Sequence, residues 1–163
     1  MAWIYNQIGD NLTGILIILF GLGLWRALSP DVLGRIGAGA VMLTGLTALL
    51  EGFFRLDCRE IDTGCTNDSW HSSAHKMNNR FTVAATIATP LILAFAFRRI
   101  PAWRGAWLPT LAAIPVAIVC GVLFSVLGNG AAVRATTATW FVWLAFLAVW
   151  LMRTANTRQV QTE

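Results

Sequence analysis

The chain has 163 residues, of which 56% are hydrophobic and only 12% are charged. Soluble domains carry about 25% charged residues, so this composition excludes an ordinary soluble protein and indicates a chain that lies in lipid. The formal net charge of +4 would suggest nucleic-acid binding in a soluble protein. Here the arginines lie between apolar segments, where membrane topology explains them, and we expect no nucleic-acid partner.

Five apolar segments follow one another along the chain, each close to the length of about 20 residues that a helix needs to cross a bilayer. None shows the period-2 alternation of a membrane strand. The sequence therefore predicts an all-α, polytopic membrane protein, a single bundle of five transmembrane helices with one long polar outer loop. The predicted spans are 12–28, 32–54, 81–97, 107–127 and 137–152.

The segment before the first span, MAWIYNQIGDN, contains no basic residue, and no A-x-A cleavage site follows the span. We therefore expect a retained helix and not a removed signal peptide.

Two spans carry small residues at successive i+4 steps, a spacing that lets another helix backbone approach closely. These helix-packing candidates are Ala40, Thr44, Ala48 and Gly52 on the second span, and Ala113, Ala117, Gly121 and Ser125 on the fourth. The alternative is that small residues are simply common in membrane helices.

The basic residues predict the orientation. With the N-terminus outside, seven of the 12 lysines and arginines lie in inner segments. This bias favours an outer N-terminus and a cytoplasmic C-terminus, in a bacterial cytoplasmic (inner) membrane.

The one long polar stretch, from Glu51 to Thr89, contains both histidines and two of the three cysteines. A helix beginning near Asp68 or Ser69 would place a polar stripe on one face, because its members recur at steps of three or four. The stripe comprises His71, His75, Asn78, Thr82, Thr86 and Thr89. The polar groups predicted to converge at the outer end of the bundle are Glu51, Asp57, Asp62, His71 and His75.

Three interpretations of this cluster remain open. His71 and His75, at i and i+4, could hold a transition metal such as zinc, with Asp57 or Glu51 completing the ligands. A histidine with a carboxylate could perform general acid–base work. The interpretation we favour is a hydrogen-bonded cap with an Asp–His pair and no cofactor. Glu51 could also pair with Arg55, one turn further on.

Cys58 and Cys65 lie in the same polar loop. In an oxidising compartment we expect them to form a disulfide. The competing interpretation makes both of them zinc ligands together with the histidines, at a spacing that matches no standard zinc motif.

The order of these features resembles a known family. A glycine-rich helix is followed by the segment Gly52-Phe53-Phe54-Arg55-Leu56-Asp57, by His71-x3-His75 at the head of the next helix, and by Arg98-Arg99-x4-Trp103-Arg104-Gly105. This order resembles the bacterial and archaeal membrane family called domain of unknown function 998, over about residues 3–152.

There are departures from that family. Arg55 stands where the family tends to have proline, and the loop with the two cysteines is longer. This chain is expected to begin after an additional N-terminal helix of the family. The resemblance implies a multi-helix membrane fold and a polar cluster, and it implies no reaction.

The sequence contains no G-x-S-x-G, phosphate-loop, H-E-x-x-H or haem-attachment motif. We therefore expect a non-catalytic integral membrane protein that binds lipid, or an accessory or scaffold subunit that packs against a membrane-protein partner or a second copy of itself. The alternative is a metal-dependent membrane hydrolase or metal-handling protein that uses His71, His75, Asp57 and Glu51.

Overall fold

The structure is a computed structural model that describes residues 8–54, 56–58 and 63–160, with the backbone alone at 129 and 157–160. Every regular element in these ranges is a helix. The helices are α1 (Asp10–Ala27), α2 (Val32–Glu51), α3 (Trp70–Arg99), α4 (Trp107–Ser125) and α5 (Asn129–Val160). A 3₁₀ helix, Pro101–Ala106, joins α3 to α4.

Five helical segments in the described ranges are long and apolar enough to cross a membrane. They are Asp10–Ala27, Val32–Glu51, Trp70–Arg99, Pro101–Ser125 and Gly130–Asn156. The prediction of an all-α, polytopic membrane protein is thereby confirmed. The third and fifth helices are longer than the predicted spans, because helical hydrogen bonding continues into polar residues that a count of apolar residues leaves out.

Side chains in the connections fix where α2 and α3 begin. The amide of Gly34 donates to Oδ1 of Asp31 at 2.7 Å, and the amide of Ser72 donates to Oγ of Ser69 at 3.2 Å. Each oxygen satisfies a first-turn amide that has no partner within its own helix. The predicted start of the third helix near Asp68 or Ser69 is correct.

The chain divides into two compact units. One comprises the described residues of Met1–Gly23 and Gly39–Thr86, and the other comprises those of Leu24–Ala38 and Ile87–Glu163.

In the first unit, α1 and α2 approach each other backbone to backbone. A Cβ atom on Gly14 would lie 2.6 Å from the carbonyl oxygen of Gly45 and 2.7 Å from the amide nitrogen of Leu49. A Cβ atom on Gly45 would lie 2.8 Å from the carbonyl oxygen of Gly14. Only glycine fits at these two positions without moving a helix.

The predicted small-residue ridges on the second and fourth spans are only partly buried. On α2, Thr44 and Gly52 are buried, whereas Ala40 and Ala48 are half-buried. On α4, Ala113 and Ala117 are half-buried and Ser125 is exposed. Gly121 faces Thr136 of α5, whose hydroxyl oxygen would lie 2.8 Å from an added Cβ atom.

In the second unit, tryptophans join α5 to α4 and to the 3₁₀ helix that precedes α4. Nε1 of Trp143 donates to the hydroxyl of Thr110 at 3.2 Å, and Nε1 of Trp150 donates to the carbonyl of Ala102 at 3.0 Å. Phe97 and Trp103, both fully buried, stack with their ring centroids 4.7 Å apart. Aromatic side chains therefore share the core of this unit with buried leucines such as Leu93 and Leu147.

The backbone contact between α1 and α2 predicts that Gly14→Ala destabilises the protein. The new methyl group overlaps backbone atoms and forces the helices apart, which we expect to cost about 1 to 3 kcal/mol of unfolding free energy. Thermal unfolding followed by circular dichroism in detergent measures this effect. Gly9→Ala is the matched control, because no atom lies within 4 Å of its added Cβ position. Equal melting temperatures for the two variants would contradict the contact.

Candidate functional site

A histidine and a glutamate meet where α2 ends and α3 begins. Nε2 of His75 lies 3.1 Å from Oε1 of Glu51, and the two side chains are 21% and 29% exposed. The other ring nitrogen of His75, Nδ1, lies 3.0 Å from the carbonyl oxygen of Phe54. Both nitrogens of the imidazole are thus engaged by the protein itself.

These contacts determine where the protons lie. A carbonyl oxygen can only accept, so Nδ1 of His75 carries a hydrogen and donates it to Phe54. Nε2 of His75 then faces Oε1 of Glu51, so the ring bridges a carboxyl oxygen and a backbone carbonyl.

Asn78 completes this group, which we call the helix-end cluster (Glu51, His75 and Asn78). Asn78 is buried one turn beyond His75 on α3, and its Nδ2 donates to the carbonyl of Thr47 at 2.9 Å. The same amide nitrogen also donates to Oε2 of Glu51. Both carboxyl oxygens of Glu51 therefore have partners on α3, and the cluster joins α2 to α3.

Helix α1 adds polar groups close by. Asp10 is half-buried and interacts electrostatically with both Glu51 and His75. The side chain of Asn11 lies against Gly52. Its Oδ1 is buried and, within the described residues, has no hydrogen-bond partner. Asp10 and Asn11 are not among the residues predicted to converge here, since nothing in their spacing indicated contact with α2.

Asp57 lies outside the helix-end cluster. Its carboxylate accepts from the hydroxyl of Ser69 at 2.6 Å and from the amide of Ser69 at 3.1 Å. These two hydrogen bonds, the hydroxyl first, hold the pKa of Asp57 below its ordinary value. Its own amide donates to Ser72 at 2.9 Å and to Asn67 at 3.0 Å. Asp57 thus ties the loop to the first turn of α3.

The two histidines have different surroundings. His71 is exposed, with its ring centroid 3.5 Å from that of Trp70. Within the described residues, the carboxylate in contact with His75 is that of Glu51, whereas the expectation was an Asp–His pair. The described residues also contain no group of three or more His, Cys, Asp or Glu side chains placed to hold a metal ion. Asp62 and Arg55 lie outside the described residues.

Cys58 and Cys65 form a disulfide bond, with their Cα atoms 5.8 Å apart. The side chain of Asn67 lies beside the bridge. Its Oδ1 accepts from the amide of Cys58 at 3.3 Å, and its Nδ2 donates to Sγ of Cys65 at 3.4 Å. In this form neither sulfur is available as a thiolate ligand for zinc.

Comparison with known proteins identifies one match. The family model described as "Protein of unknown function (DUF998)" matches residues 1–157. No curated protein and no solved structure matches the chain.

The helix-end cluster predicts different effects for the two histidines. His75→Ala leaves Oε1 of Glu51 and the carbonyl of Phe54 without this partner, and we expect a loss of about 1 to 3 kcal/mol of unfolding free energy. His71→Ala is the matched control on the same helix, because His71 is exposed and its ring lies against that of Trp70. Chemical unfolding in detergent measures both. A larger loss in the His71 variant would contradict this arrangement.

The lowered pKa of Asp57 predicts a pH-dependent loop. Because the folded pKa lies below the ordinary value of 3.8, ionised Asp57 contributes stability in full above that value. The contribution is lost as pH falls through the folded pKa. We expect Asp57→Asn to melt at a lower temperature than the native chain at neutral pH, and the difference to vanish in acid. A difference that persists unchanged below the folded pKa would show that ionisation of Asp57 plays no part.

Proposed function

We propose that this chain, which belongs to the DUF998 family, is a non-catalytic accessory subunit that binds another membrane protein laterally, with α4 as its contact surface. It is a multi-pass membrane protein by its helices, and the family itself is one of unknown function.

The observation that carries this proposal is the contrast between the apolarity of α4 and its burial. The segment Pro101–Ser125 has the highest mean hydropathy of the five candidate spans, 2.1, yet only 6% of its apolar window is buried within the described protein. For Val32–Glu51 the buried share is 39%. A helix with so little of its surface buried inside its own chain has most of that surface exposed to a neighbouring helix.

The half of α4 that follows Pro115 presents a continuous exposed face. Val116, Val119, Val122 and Leu123 are 49%, 54%, 64% and 63% exposed. These side chains recur at steps of three and four, the spacing at which a second helix packs into the grooves of the first. In lipid, helices associate through close packing, so this face suits a helical partner.

The helix-end cluster supports a structural role. The Glu51 carboxylate, both nitrogens of His75 and the amide of Asn78 bind groups of the protein itself. The alternative of a metal-dependent hydrolase needs Asp57 and His71 to join Glu51 and His75. Asp57 instead binds Ser69, and His71 lies against Trp70.

The proposed topology places the N-terminus and the cystine loop outside the cytoplasm, with the C-terminus inside, in a bacterial inner membrane. Disulfides persist in oxidising compartments, so the Cys58–Cys65 bond favours this side for the loop. Arg98 and Arg99 at the end of α3, and Arg104 after it, then lie at the cytoplasmic face, as the positive-inside rule requires.

Site-specific photo-crosslinking in native membranes tests the lateral partner. A photoreactive amino acid at Val119 of α4 should give one discrete protein adduct, because a packed helix lies within reach. Leu16 of α1 is the matched control, since it is 56% exposed, close to the 54% of Val119, and also lies in a predicted span. Its probe should react with lipid. The mass of the cross-linked adduct should be the same in independent membrane preparations.

Two outcomes would overturn the proposal. One is lipid adducts alone at both positions, which would mean that α4 faces only the bilayer. The other is the same protein adducts at Val119 and Leu16, which would indicate random encounters within a crowded membrane.

A further inference from the structure

An open apolar groove with a volume of about 380 Å³ lies between α3 and α4 of the second unit. That volume lies within the range of small-molecule sites in proteins, about 300 to 1,000 Å³. The groove is lined by Leu91, Leu108, Leu111, Ala112, Ile114 and Pro115. All six are apolar, so the groove suits a hydrocarbon chain.

An arginine lies at one end of this groove. Arg98 follows Leu91 by seven residues on α3, which is two helical turns, about 10.5 Å, along the same face. Its guanidinium carbon lies 5.6 Å from the ring centroid of Trp107, the residue that precedes Leu108 on α4. The cation–π contact orders the guanidinium group beside the groove while leaving its N–H donors available.

The surrounding chain is cationic and has no nearby acid in sequence. Arg99 and Arg104 are exposed, as is Arg98. The sequence contains no aspartate or glutamate between Asp68 and Glu163. Within the described residues, no ion pair involves any of these three arginines. This end of the groove therefore carries uncompensated positive charge.

We propose that this groove binds one anionic phospholipid, with its phosphate on Arg98 and an acyl chain between α3 and α4. Guanidinium groups bind phosphate oxygens in pairs, and each basic group near the surface strengthens the attraction to anionic lipid. A phospholipid carries both groups that the site can bind, a phosphate for Arg98 and an acyl chain for the apolar groove. The phosphate lies in the headgroup layer, directly beside the outer part of the hydrocarbon. The site goes beyond the proposed function, because it lies on the half of α4 that precedes Val116.

Arginines at a membrane surface could act through charge alone, as the positive-inside rule describes. The groove makes a separate prediction, because filling it should weaken binding even when all the arginines are kept. Ala112 is exposed and lines the groove, so Ala112→Trp occupies the acyl-chain position without altering the charge.

Native mass spectrometry of the delipidated full chain in detergent provides the test. The protein is titrated with phosphatidylglycerol and, separately, with phosphatidylcholine of the same acyl chains. We expect tighter binding of phosphatidylglycerol, which Arg98→Gln weakens about fivefold. Ala112→Trp should weaken both lipids, by about fourfold for each methylene group that loses its burial.

Matched controls separate the site from general effects. Arg134→Gln removes an exposed arginine elsewhere on the chain, and Val142→Trp adds the same bulk at an exposed residue of α5 outside the groove lining. Both should leave the affinities unchanged. Equal losses in Arg98→Gln and Arg134→Gln would overturn the site in favour of general charge. Unchanged binding in Ala112→Trp, or displacement of the lipid by inorganic phosphate alone, would show that no acyl chain occupies the groove.

Discussion

The contact between Glu51 and His75 is the constraint on which the arrangement of α2 and α3 depends. Lipid offers no partner for a carboxylate, an imidazole or an amide, so such groups near the membrane must satisfy one another. The end of α2 and the residues after it supply the Glu51 carboxylate and the carbonyl groups of Thr47 and Phe54. Helix α3 supplies the His75 ring and the Asn78 amide that bind them. The joining of the two helices therefore depends on polar side chains that satisfy one another.

The first and second units use different interactions to hold their helices together. In the first unit, α1 and α2 meet at glycines, and polar side chains join α2 to α3. In the second, indole rings fill the space, with Trp103 fully buried and Trp143 nearly so. Hydrogen bonds between polar groups are directional, and each buried polar group needs a partner. Aromatic rings instead stabilise the packing through the large apolar area that they bury.

Much of the fold could be predicted from the lengths of the apolar segments alone, because an apolar segment of about 20 residues is typical of a membrane helix. The polar stripe of α3 was also visible, since His75 and Asn78 recur at a helical step. What spacing could not provide was the partner of each group. The choice of Glu51 over Asp57 for His75 depends on how the loop turns between two helices, and both acids looked equally suitable in sequence. The Gly14–Gly45 contact was missed for the same reason, since it joins residues that share no periodic pattern.

The contacts between the two sides of the α2–α3 connection join residues that are progressively further apart in sequence. Asp57 and Ser72 are 15 residues apart, Phe54 and His75 are 21 apart, and Thr47 and Asn78 are 31 apart. The entropic cost of closing a loop rises only slowly with its length, so once the shortest of these contacts has formed, the next encloses few additional residues. Each contact nearer the loop therefore lowers the entropic cost of the next, and the loop contacts make the pairing of α2 with α3 less costly than their separation in sequence suggests.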